Sequence, residues 1–174
     1  MNLKVGKVFS FDLRCGASRR TQFYRELFGY TNRVVRPTKR DPERTYTFFK
    51  PGLLRRIPHI KLGSPVFAVP LAAAEEVGGF FKDPKWNPIE LHVFDAVLPS
   101  DAREQSMENA LDAPVLIARG QYSTLREEVK LLKHDNVEPD RVSRTTRAVE
   151  YLLRMDWTDG KKFSKKLKAQ ACKL

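Results

Sequence analysis

From Val5 to Leu98 the chain alternates β-rich and helix-like segments in an order that admits few folds. Val5 to Leu13, with Val8, Phe9, Phe11 and Leu13, has the composition of a buried strand. A loop through Gly16 leads to Ser18, a good N-cap, and to a short helix carrying Phe23, Tyr24, Leu27 and Phe28, with Gly29 placed to end it. Arg33 to Arg36 and Arg44 to Lys50 read as two strands of a hairpin, joined by a basic connection whose Pro37 and Pro42 cannot pair in a sheet. Pro51-Gly52 marks a turn, Val66 to Val69 a short buried strand, and Leu71 to Lys82 a helix weakened by Gly78-Gly79. Ile89 to Leu98 alternates, with Ile89, Leu91, Val93 and Val97 on one face and Glu90 and His92 on the other. Strand, helix, strands, helix, strand is a split βαβ order, which predicts helices on one face of a sheet and a free second face.

Beyond Pro99 the pattern turns helical. Asp101 with Glu104, and Thr124 with Glu127, have the spacing of capping boxes, the second opening a stripe of Leu125, Val129 and Leu132. A longer helix from Pro139 to Met155 carries Val142, Val149, Leu152 and Leu153, with Arg141, Arg144, Arg147 and Arg154 on much of the remainder. The chain therefore divides into an α+β unit over 1–98, a helical appendage over 99–157 and a basic tail over 158–174. In the tail Phe163 and Leu167 have helical spacing, yet so short a cationic segment is expected to order only against phosphate or a partner, or to fray in water. A hydrophobic fraction of 41% suffices for a core, and no apolar stretch is long enough to span a bilayer, so the expectation is a cytoplasmic protein.

The charge of this chain has a direction. Residues 1–61 hold 15 Lys or Arg against 4 Asp or Glu and residues 158–174 hold 6 against 1, while the stretch between holds 11 against 16. Two basic ends around an acidic middle suit a polyanion. Arg33, Arg36, Lys39, Arg40 and Arg44 cluster on the expected hairpin. No acidic residue occurs between Glu43 and Glu75, so Arg55, Arg56 and Lys61 in the segment Leu53 to Lys61 are candidate phosphate contacts. Lys161, Lys162, Lys165 and Lys166 are the tail's candidates.

Catalysis finds little support. Two cysteines, Cys15 and Cys172, exclude a cysteine metal cluster, and His59, His92 and His134 stand too far apart for a zinc site, so no metal or cofactor is expected. Gly-rich phosphate loops, nucleophile elbows and metalloprotease helices have no match. Asp12, followed by Arg14, Arg19 and Arg20, is the one plausible metal corner, and its plain alternative is a carboxylate that pairs with Arg14. Antiparallel first and last strands of a split βαβ sheet keep Asp95 away from Asp12.

The run Val8-Phe9-Ser10-Phe11-Asp12, then Arg19-Arg20, Leu27-Phe28-Gly29-Tyr30 and Arg33-Val34-Val35, resembles the opening of the small ferredoxin-like CRISPR-associated endonuclease and adaptation proteins, which implies Asp12 as a metal ligand at a dimer. Val8 to Leu13 with Arg44-Thr45-Tyr46-Thr47-Phe48-Phe49 is also similar to the RNA-recognition motif, whose exposed aromatics stack on bases. Tyr46 and Phe48 share one strand face, and either base stacking or core packing satisfies them.

These readings combine into an α+β, ferredoxin-like antiparallel sheet with a C-terminal helical appendage. The expected function is non-catalytic binding of structured RNA, favoured over DNA, such as ribosomal RNA in a ribosome component, with protein neighbours on 100–157. A metal-dependent endonuclease built on Asp12 and a protein-interaction module are the alternatives.

Overall fold

The computed structural model describes residues 4–35, 45–118, 121–132 and 137–170. Its frame is α+β. Strand β1 (Val5–Leu13) runs through the loop at Gly16 into α1 (Ala17–Phe28). A hairpin of β2 (Gly29–Val35) and β3 (Thr45–Pro51) and a one-turn helix α2 (Leu53–Arg56) follow, before β4 (Ile60–Gly63), β5 (Val66–Pro70), α3 (Ala74–Phe81) and β6 (Ile89–Val97). The four-stranded sheet has the order β4-β5-β1-β6 with every neighbour antiparallel, which fits a ferredoxin-like arrangement into which β2, β3 and α2 are inserted as a separate unit. Gly16, not Ser18, occupies the cap of α1, and no side chain bonds there.

Strand β1 is buried on both sides, and the period of two explains how. Phe9, Phe11 and Leu13 point into an aromatic core with Phe23 and Leu27 of α1, Phe67 and Val69 of β5, Val77 and Phe81 of α3, and Trp86. The rings of Phe9, Phe67 and Phe81 stack with centroids 5.6–6.3 Å apart. Val8 points the other way. With Ala68, and with Ile60, Val66 and Ala96 at its margin, it meets a second core built by the carboxyl-terminal part of the chain.

That second layer corrects three expectations. The sheet's second face is not free, because α4 (Ser100–Ala110), α5 (Leu125–Leu131), α6 (Pro139–Arg154), α7 (Lys162–Gln170) and the connection between the last two bring Met107, Leu125, Val129, Val149, Leu152, Trp157, Phe163 and Leu167 onto it. The appendage is not all helix, since β7 (Pro114–Ala118) and β8 (Gln121–Thr124) pair antiparallel within it. The basic tail is neither frayed nor waiting for phosphate through residue 170. Phe163 and Leu167, 5% and 1% exposed, hold α7 in the core, and Asp156 accepts hydrogen bonds from the backbone and hydroxyls of Thr158 and Ser164 at its start.

Polar anchors tie the layers together. Arg103, 4% exposed, donates to the carbonyls of Leu98 and Trp157 and to the Asp159 carboxylate. Thr124 and Glu127 form the capping box expected for α5, whereas α4 starts after Pro99 with no side-chain cap. The even alternation expected of β6 stops halfway. Ile89 and Leu91 pack on the aromatic core, but Val93, Phe94 and Val97 are 44–56% exposed, because β6 is an edge strand that the covering layers do not fully reach. Among the described residues no helix is long and apolar enough to cross a membrane.

Candidate functional site

The hairpin is rooted against α2 by two glycines. Gly29 has φ +80°, and a Cβ on it would lie 2.5 Å from the Gly52 nitrogen. A Cβ on Gly52 would stand 2.0 Å from the Gly29 nitrogen, so neither position has room for a side chain. This crossing sets β2, β3 and the start of α2 at a fixed angle to α1. Beside them opens a groove of about 620 Å³, lined by the polar Arg25, Glu26, Tyr30, Lys50, Arg55 and Arg56 and by Phe80, Pro114, Leu116 and Tyr122.

The groove is cationic and aromatic together. The Arg25 guanidinium lies 4.9 Å from the Tyr30 ring centre, and that of Arg55 lies 5.8 Å from the Phe49 ring, which meets Tyr122 edge to face at 5.8 Å. Arg25, Lys50 and Arg55 make no ion pair among the described residues. Glu26, the one carboxylate in the wall among the described residues, is already engaged by Lys85 at 2.8 Å and Gln22 at 3.0 Å. Partial burial pushes the Glu26 carboxyl up, but those hydrogen bonds outweigh it and hold the group below its ordinary value, hence ionised and matched to Lys85. Arg56 is more constrained. It contacts Glu76 at 2.5 Å, and Glu76 also accepts the Tyr151 hydroxyl at 2.5 Å; burial foremost, and then this hydrogen bond, push that phenol well up.

A second cavity of about 590 Å³ opens on the far side of Arg55 and is lined by Lys61, His59, Gln105, Asn109 and Asp112. The Lys61 ammonium sits 5.3 Å from the Phe28 ring. Burial pushes His59 below its ordinary value, so at neutral pH the ring is uncharged and the cavity's positive field comes from Arg55 and Lys61.

Of the residues singled out in the sequence, the structure brings Arg55, Arg56 and Lys61 to this region. Arg33 is exposed on β2 opposite Thr47. Arg36, Lys39, Arg40 and Arg44 lie outside the described residues, as do the side chains of Tyr46 and Phe48, whose backbones pair with Val34 and Asn32 in the hairpin and not in the four-stranded sheet. Arg19 and Arg20 are spent on the carbonyls of Asn87 and Leu13 and line none of these cavities. Lys162 and Lys166 bind Glu104 and Glu108 at 3.3 and 2.6 Å, and Lys161 and Lys165 stand exposed on the same segment, so the tail does not converge on the groove. Asp12 is exposed beside Arg14, which bonds Glu90 across the strand pair, while Asp95 binds Lys7. Among the described residues no group of three His, Cys, Asp or Glu is placed to hold a metal ion.

Sequence reading did not single out Arg25, Lys50, Phe49 or Tyr122 as site residues. Arg25 and Lys50 carried a charge signal that could have found them, but Tyr122 reaches Phe49 only through the unforeseen β7–β8 hairpin. No protein-family model, no curated protein and no solved structure matches this chain.

Proposed function

We propose that the chain is a non-catalytic nucleic-acid-binding protein that grips structured RNA in the groove beside α2, in the manner of a cytoplasmic, ribosome-associated component. One observation carries the reading: Arg25, Lys50 and Arg55, which make no ion pair among the described residues, line one groove with Tyr30 and Tyr122, Phe49 lies against both Arg55 and Tyr122, and the Glu26 carboxylate in the groove belongs to Lys85. Free cations supply attraction to phosphate, and aromatic faces beside them suit unpaired bases, which structured RNA presents in its loops. The strands β2 and β3 also lead into a connection whose sequence holds Arg36, Lys39, Arg40 and Arg44 against Asp41 and Glu43.

Fluorescence anisotropy with an RNA stem-loop across a salt series tests this. Binding should weaken linearly in the logarithm of salt, persist in EDTA and persist in Asp12→Ala. The double variant Lys50→Ala with Arg55→Ala should lower the slope by roughly 0.7–0.9 for each lost phosphate contact. Salt-insensitive binding, or a slope unmoved by the double variant, overturns the reading. Magnesium-dependent cleavage that vanishes in Asp12→Ala would replace it with the nuclease alternative.

A further inference from the structure

Next to the groove, and sharing Arg56, Pro114 and Leu116 with it, lies a chamber of about 350 Å³ between β7 and α6. Its walls are apolar, drawn from Ala110, Ala113, Val115, Leu125, Ala148 and Leu152, with the Tyr151 ring at one side. Among the described residues no Asp or Glu lines it, yet three guanidinium groups do: Arg56, Arg144 and Arg147. Their states differ. Arg56 is held by Glu76. Arg144 is braced by the carbonyls of Asp140 at 3.1 Å and Leu116 at 3.4 Å, which fixes it across the wall between α6 and β7. Arg147 is exposed and, among the described residues, makes no hydrogen bond or ion pair.

An apolar chamber rimmed by arginines selects a ligand with a flat or apolar body and an anionic end. A buried carboxylate or phosphate without such cations would carry a large desolvation cost, and a purely apolar ligand would leave the guanidinium groups idle. The size falls at the lower end of small-molecule sites and excludes a duplex. Continuity through Arg56, Pro114 and Leu116 places the chamber directly beside whatever lies in the groove.

From this geometry we infer that the chamber receives one unpaired nucleobase of a groove-bound RNA strand, with the flanking phosphate on Arg144 and Arg147. Arginine suits this arrangement better than lysine, because its planar group both stacks on a base and meets phosphate bidentately. The inference rests on the RNA-binding reading of the groove and adds to it a preference: a strand with splayed bases binds more tightly than a paired one of equal charge.

The test compares an RNA stem-loop with a fully paired duplex of the same phosphate count, by anisotropy at fixed salt. The stem-loop should bind about tenfold more tightly, within the range that one base stacked on an aromatic side chain supplies. Ala148→Leu, which fills the chamber, should cut that advantage several-fold and leave duplex affinity unchanged. Because Ala148 also borders the core around Leu152, the exposed Arg147→Ala serves as a second variant, with a thermal melt to establish folding, and should reduce the stem-loop advantage several-fold. Arg55→Ala should weaken both RNAs alike. A stem-loop preference that survives undiminished in both chamber variants overturns the chamber and leaves the groove reading standing, whereas equal affinity for the two wild-type complexes overturns the chamber together with base stacking in the groove. Failure to bind either RNA overturns both.

Discussion

In the amino-terminal block Arg25 and Arg55 stand beside aromatic rings and, with Lys50, make no ion pair among the described residues, whereas in the carboxyl-terminal stretch Lys162 and Lys166 are tied to Glu104 and Glu108. The two regions look alike in composition, each strongly basic. Their difference comes from what accompanies the charge. In α7, Phe163 and Leu167 are one helical turn apart and enter the core between α4 and α6, which turns the lysines of that helix outward over the acidic face of α4. In the groove, the apolar companions are aromatic rings at the surface of a crossing fixed by Gly29 and Gly52, so the cations have rings instead of carboxylates beside them. A basic stretch with an apolar stripe at helical spacing is a docking element first, and its net charge alone says little about a polyanion.

The largest effect that could break this contrast is Leu167→Ala. Truncating a side chain that is 1% exposed should lower unfolding free energy by about 2–5 kcal/mol in urea melts, with the salt slope of RNA binding by the folded fraction unchanged. An unaltered melting midpoint would mean that α7 is not part of the core.

Asp156 sharpens the same point through pH. Burial pushes its carboxyl up, but the hydrogen bonds from Ser164 and Thr158 outweigh that and hold it below its ordinary value of 3.8. The folded state therefore binds this proton less readily than the unfolded one. The associated stability is complete above the ordinary carboxyl value and is lost as pH falls through the lower folded value. Asp156→Asn should cost about 1–3 kcal/mol at neutral pH and flatten the acid limb of stability, read by urea titrations from neutrality down to about pH 3. An acid limb as steep as that of the wild type would remove Asp156 from the account.

The smallest effects belong to the ion pairs. Lys162→Ala and Lys166→Ala, at exposed positions, should each change stability by no more than about 0.5 kcal/mol and leave the salt slope where it was. Should either lower the slope as Arg55→Ala does, the two basic regions would be one surface and the contrast would be gone.

Much of the frame was legible. The bounds of β1, the end of α1 at Gly29, the Thr124–Glu127 box and the long helix α6 all follow from periodicity and capping chemistry, which act within a few residues. What failed depends on distant partners. The apolar stripes of α5, α6 and α7 announce burial but not what buries them, and the open face of the sheet was the surface that answered. Strands β4, β7 and β8 are four or five residues long, too short for alternation to mark them. At the site, Arg55, Arg56 and Lys61 were found because charge without acids is visible in a string of letters. Tyr122 and the carbonyl-braced Arg144 were not, because their meaning arises only when β7 and β8 lie against the hairpin and α6.

The second core joins Val8 from the first strand to Leu167 from the last helix, and a Cβ on Gly6 would touch Trp157 at 2.8 Å. Vectorial synthesis therefore completes β1, β5 and α1 well before their second layer exists. At about 5–20 residues per second, the sheet waits on the order of ten seconds with Val8 and Ala68 uncovered. A nascent chain of this design has a window in which chaperones or premature aggregation compete for that face, and translation speed over its last third becomes a determinant of yield.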